Sequence, residues 1–427
     1  MRTLWLLWFP LLFLPNLGLS RRTPFGTLEI SDFLILPFLF LSLAVVRWRT
    51  NVQAVRCAPV LAAFVLWALI GTFFVAERYG YPTDLQENVA LLKLGKFCLY
   101  ATGGLLVSQG LLDRRVRLHY WWALLAAGAV LGGSLLLHGE SGVASPTQSY
   151  SSTNATSVQV SVLASFLCGV WMAGHGGFWW RRLAIPVLVL MVLGSALSDG
   201  RGGWLAGLVG VSYLTWKGGF RRQFLAAATG LIVVVLAAYY WMPAFRRQVD
   251  KTLDPDERTL ERYGVGFAGV DEGGRLRIWN SAVAKLPAVP LLGTGFFHRG
   301  GRSGHWLTGS HNFFLQMALE TGVVGGSIAL LFWVVMWRHA RSQESRALRL
   351  DMPLRCALIV SIIGGLGGEY FYGGMVLFTV LAVYAPCGSL TLRRPARPFP
   401  ASSVTSAIAG EKWPSPAGRA PVAREFA

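Results

Sequence analysis

Charge is scarce in this chain, and negative charge is scarcest. Of 427 residues only 14% are charged, with 21 Asp and Glu against 39 Lys and Arg. A soluble domain carries about 25% charged residues, so a soluble enzyme and a disordered chain are both excluded. Cysteine is nearly missing as well. Cys57, Cys98, Cys168, Cys356 and Cys387 stand singly, in or beside apolar runs, with no CxxC or metal-ligand spacing. A disulfide scaffold and a thiolate metal site are excluded with them, and inert buried thiols are expected. What remains is apolar: 53% hydrophobic residues, 17 Trp, 49 Gly and a mean hydropathy of +0.48. These numbers describe an integral membrane protein.

A crossing helix needs about 20 mostly apolar residues, bounded by charge. Twelve runs qualify as spans: 3–19, 27–46, 58–75, 88–110, 119–137, 156–174, 183–199, 202–216, 223–242, 312–336, 354–369 and 372–390. The predicted fold is all-α and polytopic. Residues 1–242 carry spans one to nine, 243–310 a large outer loop, 311–390 spans ten to twelve, and 391–427 a disordered tail. The first run holds Pro10 and Pro15 and lacks a cleavage site, so a retained helix is expected rather than a signal peptide. With the N-terminus inside, the cytoplasmic connections hold fifteen Lys and Arg and the short outer ones four. That bias places both termini in the cytoplasm. Much of the formal charge of +18 is then topogenic, and no nucleic-acid partner is needed to explain it. The outer loop, with ten basic and seven acidic side chains, is expected to hold short helices near 256–263 and 275–286.

Polar candidates cluster on the outer side. Arg201 stands in SDGRGGWLAG, where Gly200, Gly202 and Gly203 leave backbone amides open to an anion and a helix N-terminus follows. The alternative is a small-residue turn with a snorkelling arginine. In DEGGRLRIWNSA, Arg275 and Arg277 open an amphipathic stretch with Ile278, Trp279 and Val283, suited to a helix on the membrane surface. Those arginines meet either a substrate phosphate or lipid headgroups. In HNFFLQMALETGVVGG, helical spacing puts Gly322 about 20° and Gly325 about 40° around from His311. One face would then carry an imidazole above small residues that admit a neighbouring helix. A neutral histidine is a proton acceptor near pH 7, and a boundary histidine satisfied by water is the plainer reading. His298 and His305 precede it without a compact zinc pattern. Lys93 and Lys96 fall in the outer half of the fourth span, where cations are functional suspects. They face a lipid-linked phosphate or pair with Glu29, Asp32 or Glu87. Glu320 lies opposite His311 around the helix, so it is not expected to orient the imidazole, and Glu369 has no evident partner.

Together these elements resemble the O-antigen ligase family, within a wider ligase and polymerase superfamily of Gram-negative inner membranes. His311-Asn312, nine residues, then Gly322-Val323-Val324-Gly325 is similar to the family's H-[NSQ]-x9-GxxG motif. Arg201 to Leu205 resembles its R-x3-L element, and GGRLRIW its loop element, with Arg275 at the matching position. PAVPLLGTGFF resembles the loop's PLLGxG stretch, while Gly326 stands where many ligases have Thr. The motifs cover roughly 190–335. The resemblance implies a GT-C membrane glycosyltransferase, inverting and metal-independent, with its active site on the periplasmic face. Its donor is a glycan on undecaprenyl pyrophosphate and its acceptor the lipid A–core oligosaccharide. His311 is then the base, with Arg201 and Arg275 on the pyrophosphate, Arg277, Lys93 and Lys96 as helpers, and no cofactor. A polysaccharide polymerase or a protein O-oligosaccharyltransferase would share these features. A secondary transporter would instead place polar residues near the bilayer midplane.

Overall fold

The structure, a computed structural model, describes residues 1–14, 21–23, 26–28, 30–45, 57–79, 84–111, 114–139, 150–197 and 201–218. It further describes scattered positions from 225 to 246, then 275–288, 291–296, 312–342, 345–346, 349–366 and 374–388. Some side chains at helix ends are outside that description, those of Arg201, Arg275 and Arg277 among them.

The apolar runs form helices, in the order α1 (Arg2–Trp8), α2 (Ile30–Val45), α3 (Ala58–Tyr79), α4 (Asp84–Gly110), α5 (Arg114–Gly139), α6 (Tyr150–Met172), α7 (Phe178–Leu197) and α8 (Arg201–Gly218). After scattered helical positions between 225 and 246 come α9 (Arg275–Lys285), α10 (Phe313–Ala340), α11 (Asp351–Leu366) and α12 (Met375–Gly388). Among the described residues five of these, α4, α5, α6, α7 and α10, are long and apolar enough to cross a membrane. Large apolar side chains such as Phe33, Phe40, Leu66, Phe74, Leu205 and Leu208 stand on the outside. An apolar exterior around an apolar core is the mark of a protein solvated by lipid.

Two elements differ from expectation. Helix was expected across 3–19, but α1 tightens into a 3-10 turn, Phe9–Phe13, and stops. Pro10 stands at the start of that turn, and Leu14 is extended before Pro15, because a residue preceding proline disfavours the helical region. This short segment is nevertheless core. Trp5, Phe9 and Phe13 pack with Phe38, Tyr120 and Phe378, and Trp5 Nε1 donates to Ser42 Oγ at 2.7 Å. Secondly, residues Arg21–Thr23 (β1) and Gly26–Leu28 (β2) pair antiparallel, Arg21 opposite Leu28 and Thr23 opposite Gly26. This ribbon takes the residues where the second span was expected to begin, and α2 starts at Ile30.

The many glycines and serines serve helix seams. Ser157, Ser161 and Ser165 recur every four residues on α6 and meet Gly203, Gly207 and Gly210 of α8. Ser161 Oγ donates to the Gly203 carbonyl at 2.7 Å, and Cys356 Sγ of α11 to that of Gly210 at 3.0 Å. A Cβ on Gly203 would overlap Ser157. Small residues let backbones approach where lipid supplies no hydrophobic drive. Gly203, expected to open backbone amides to an anion, lies under α6 instead. Gly203→Val is expected to cost about 1–3 kcal/mol by overpacking. Thermal melting in detergent measures this, and an unchanged melting temperature would show a loose seam. The same logic joins α5 to α7, where a Cβ on Gly132 would lie 2.9 Å from the Met191 backbone.

The thiols are part of this interior. Cys57, Cys98, Cys168 and Cys356 are free, and burial pushes the Cys57 thiol up to about 12.

Candidate functional site

The best-defined part of the site is the start of α10. Asn312 caps it, its side-chain oxygen accepting from the amides of Phe314 at 3.0 Å and Leu315 at 3.2 Å. Helix N-termini leave such amides without intrahelical partners, and Asn is among the best residues to take them. The motif asparagine is thus a structural cap, and His311 precedes it in sequence, before the helix proper. Asn312→Ala is expected to cost about 1 kcal/mol, with Asn312→Ser close to wild type, in the same melting assay.

Two turns on, α10 breaks. Gly322 has φ 68° and ψ −176°, a conformation that only glycine adopts readily. The expected alignment of His311, Gly322 and Gly325 on one helix face therefore does not hold. The phase is lost at Gly322, and the helix starts after His311.

The break is filled from outside. The backbone of 291–296, LLGTGF, lies against it. The Thr294 amide donates to the Leu319 carbonyl and the Gly295 amide to that of Glu320, both at 2.9 Å. Gly293, at φ 72°, faces Gly322 backbone to backbone, and a Cβ on either would overlap the other strand. Trp67 of α3 donates its indole N–H to the Thr321 carbonyl at 2.9 Å. Gly325 lies beneath both: a Cβ there would overlap the Thr321 side chain of the same helix and lie 3.0 Å from Trp67 Cδ1. Below, Phe296 is wholly buried between Phe64 of α3 and Phe97 of α4, and its amide donates to Thr72 Oγ1 at 3.3 Å. Trp67, Gly71 and Thr72 drew no notice in the sequence, although a Trp and a Gly-Thr pair in an apolar span were the available signal.

Glu320, set aside from the sequence, is 1% exposed and accepts from Gln316 Nε2 at 2.5 Å. A carboxylate buried in a membrane helix is a functional suspect by default. Lys96 forms an ion pair with Asp32 of α2, and Tyr100 Oη donates to the same carboxylate at 3.0 Å. Of the readings open for Lys96, the Asp32 pair is the one the structure contains. Lys93 is half-buried one turn before it.

Arg201 is the first residue of α8 and Arg275 the first of α9, with Arg277 two residues into that helix. Helix N-termini carry partial positive charge, which suits an anion. The α7–α8 turn is pinned by Trp204 Nε1, donating to the Ser195 carbonyl at 2.5 Å, and by Ser195 Oγ against Ser157 Oγ at 3.3 Å. The amphipathic helix expected near 275–286 is α9, and it packs on α10. The loop element and the histidine-motif helix are therefore neighbours. α8 packs instead on α6, α7 and α11, and α11 touches α10. His311, His298, His305, Glu369 and the helix expected near 256–263 lie outside the described residues.

Residues 186–330 match the family model described as O-antigen ligase. That stretch, about a third of the chain, is what is similar to the O-antigen ligase family. Comparison with curated proteins gives no match. The matched stretch runs from α7 through the kink of α10, so it spans Arg201, Arg275, His311, Gly322 and Gly325 together. Members of this O-antigen ligase and polymerase superfamily are glycosyltransferase-like enzymes of bacterial membranes.

Proposed function

We propose that the chain is an O-antigen ligase of the bacterial inner membrane. It transfers a polysaccharide from undecaprenyl pyrophosphate to the lipid A–core oligosaccharide during lipopolysaccharide biosynthesis. The observation that carries this reading is the single family match enclosing all three motif elements. The proposed architecture is a GT-C type bundle of twelve spans, with 243–310 as the periplasmic loop and both termini cytoplasmic. The lysine and arginine bias of the connections supports that orientation.

The chemistry follows from the donor, which already holds an activated sugar–pyrophosphate bond. The reaction is inverting and needs neither metal nor cofactor. His311 accepts the proton of the acceptor hydroxyl as that oxygen attacks the anomeric carbon. The bond to pyrophosphate breaks, and the departing phosphate gains negative charge that Arg201 and Arg275 stabilise. Arg277 and Lys93 assist from the same side. Lys96, held by Asp32, supports α4 rather than the phosphate. Arg201→Ala and Arg275→Ala are each expected to lower kcat/KM for donor about 10–100-fold, as for loss of a hydrogen bond to a charged group. Unchanged donor binding and turnover would remove that arginine from the site.

Purified protein in liposomes, given lipid-linked glycan and lipid A–core, tests the whole reading. Glycan appearing on lipid A–core supports it. Lengthening of the lipid-linked glycan would make the chain a polymerase, and uptake without transfer a transporter.

A further inference from the structure

We propose that residues 291–296, at the return of the outer loop, form a positioning element of the transfer site, and that Trp67 of α3 is part of it. Together they hold α10 at a fixed bend and so aim its first half, 313–321, with His311 before the cap. The inference rests on the reading of His311 as the base.

A bend at Gly322 interrupts the helical ladder, and carbonyls freed inside a bilayer find no water. Leu319, Glu320 and Thr321 carry three such carbonyls in sequence. Each meets a donor from outside the helix: the Thr294 amide, the Gly295 amide and the Trp67 indole. Two elements remote in sequence thus supply donors to three successive acceptors, and Thr294 Oγ1 adds a longer bond to the Leu319 carbonyl at 3.5 Å. The approach is possible because Gly293 and Gly322 present bare backbone to each other, each at positive φ.

The clamp is itself fixed to the bundle. Gly71 of α3 leaves space for the Leu292 carbonyl, where a Cβ would sit 3.1 Å away. Thr72 Oγ1 takes the Phe296 amide, and the Phe296 ring is wedged between Phe64 and Phe97. The bend is therefore set by α3 and α4 through six residues of loop, not by α10 alone. A general base must sit within hydrogen-bond reach of the proton it takes, and a misplacement of about 1 Å can cost about 10²-fold in rate. A half-helix free to swing would not keep that tolerance.

The test uses full-length protein in liposomes, assayed for transfer onto lipid A–core, with amide hydrogen exchange over 291–296 in parallel. Trp67→Phe keeps an aromatic ring at this place but deletes the pyrrole half of the indole, and with it the N–H that Thr321 accepts. It is expected to lower kcat about tenfold, the equivalent of one hydrogen bond, with KM for donor and acceptor unchanged. Exchange at 294 and 295 is expected to quicken relative to the wild type. Gly322→Ala is expected to lose about 10²-fold or more of kcat, as a displaced base would. Should that variant fail to fold, Trp67→Phe and Thr72→Val carry the test. Wild-type kcat in Trp67→Phe overturns the proposal, as does a kcat loss with exchange unchanged or with KM rising in proportion. Absence of transfer by the wild-type protein overturns the ligase reading and this proposal with it. Normal transfer by Trp67→Phe overturns this proposal alone.

Discussion

Replacing His311 with alanine is expected to lower glycan transfer by about 10²–10⁴-fold, the range for loss of a general base, while the protein inserts and folds normally. The separation of the two effects follows from the cap. Asn312, not His311, holds the first amides of α10 through its side chain. Removing the imidazole therefore leaves the helix start intact, and the loss falls on chemistry. Initial rates with purified protein and saturating donor and acceptor measure it. Equal rates for wild type and variant would end the assignment of His311 as base.

Lys96→Met is expected to act the other way, through folding. The Lys96 and Asp32 side chains are 6% and 10% exposed, so the pair lies inside the bundle between α4 and α2. Breaking a buried pair from one side strands the other charge, at a cost of about 3–5 kcal/mol. The double variant Asp32→Asn with Lys96→Met removes both charges and keeps an acceptor for the Tyr100 hydroxyl, which now donates to Asp32. It is expected to recover most of the lost stability, because an uncharged replacement of such a pair is often neutral. Melting of the three proteins in detergent gives the comparison. A stable single variant with weakened donor use, not rescued by the second change, would return Lys96 to the pyrophosphate.

The helices were legible because lipid imposes long apolar runs, and α3, α5, α6 and α7 fall close to the runs read from sequence. The choice of partner for Lys96 was not legible, since Glu29, Asp32 and Glu87 were equally plausible by sequence and only packing selects Asp32. The end of the first helix was missed although Pro10 and Pro15 marked it; the apolar content of the run outweighed them. The GxxG motif shows the deepest limit. A glycine in an apolar helix serves either a close helix contact or a backbone conformation closed to other residues. Gly203 is of the first kind and Gly322 of the second. What separates them is the chain near Gly293, some thirty positions earlier, and one-dimensional spacing carries no trace of it.

The joint between Gly293 and Gly322 also sets which pieces of this protein are interchangeable. Exchanging residues 243–310, the proposed outer loop, with those of a relative invites cuts at the visible helix ends. Such cuts would bring foreign backbone to carbonyls shaped for Thr294 and Gly295, and to an indole on α3. The transplantable unit runs through Gly325, and its recipient must supply a tryptophan, a glycine and a threonine in the places of Trp67, Gly71 and Thr72.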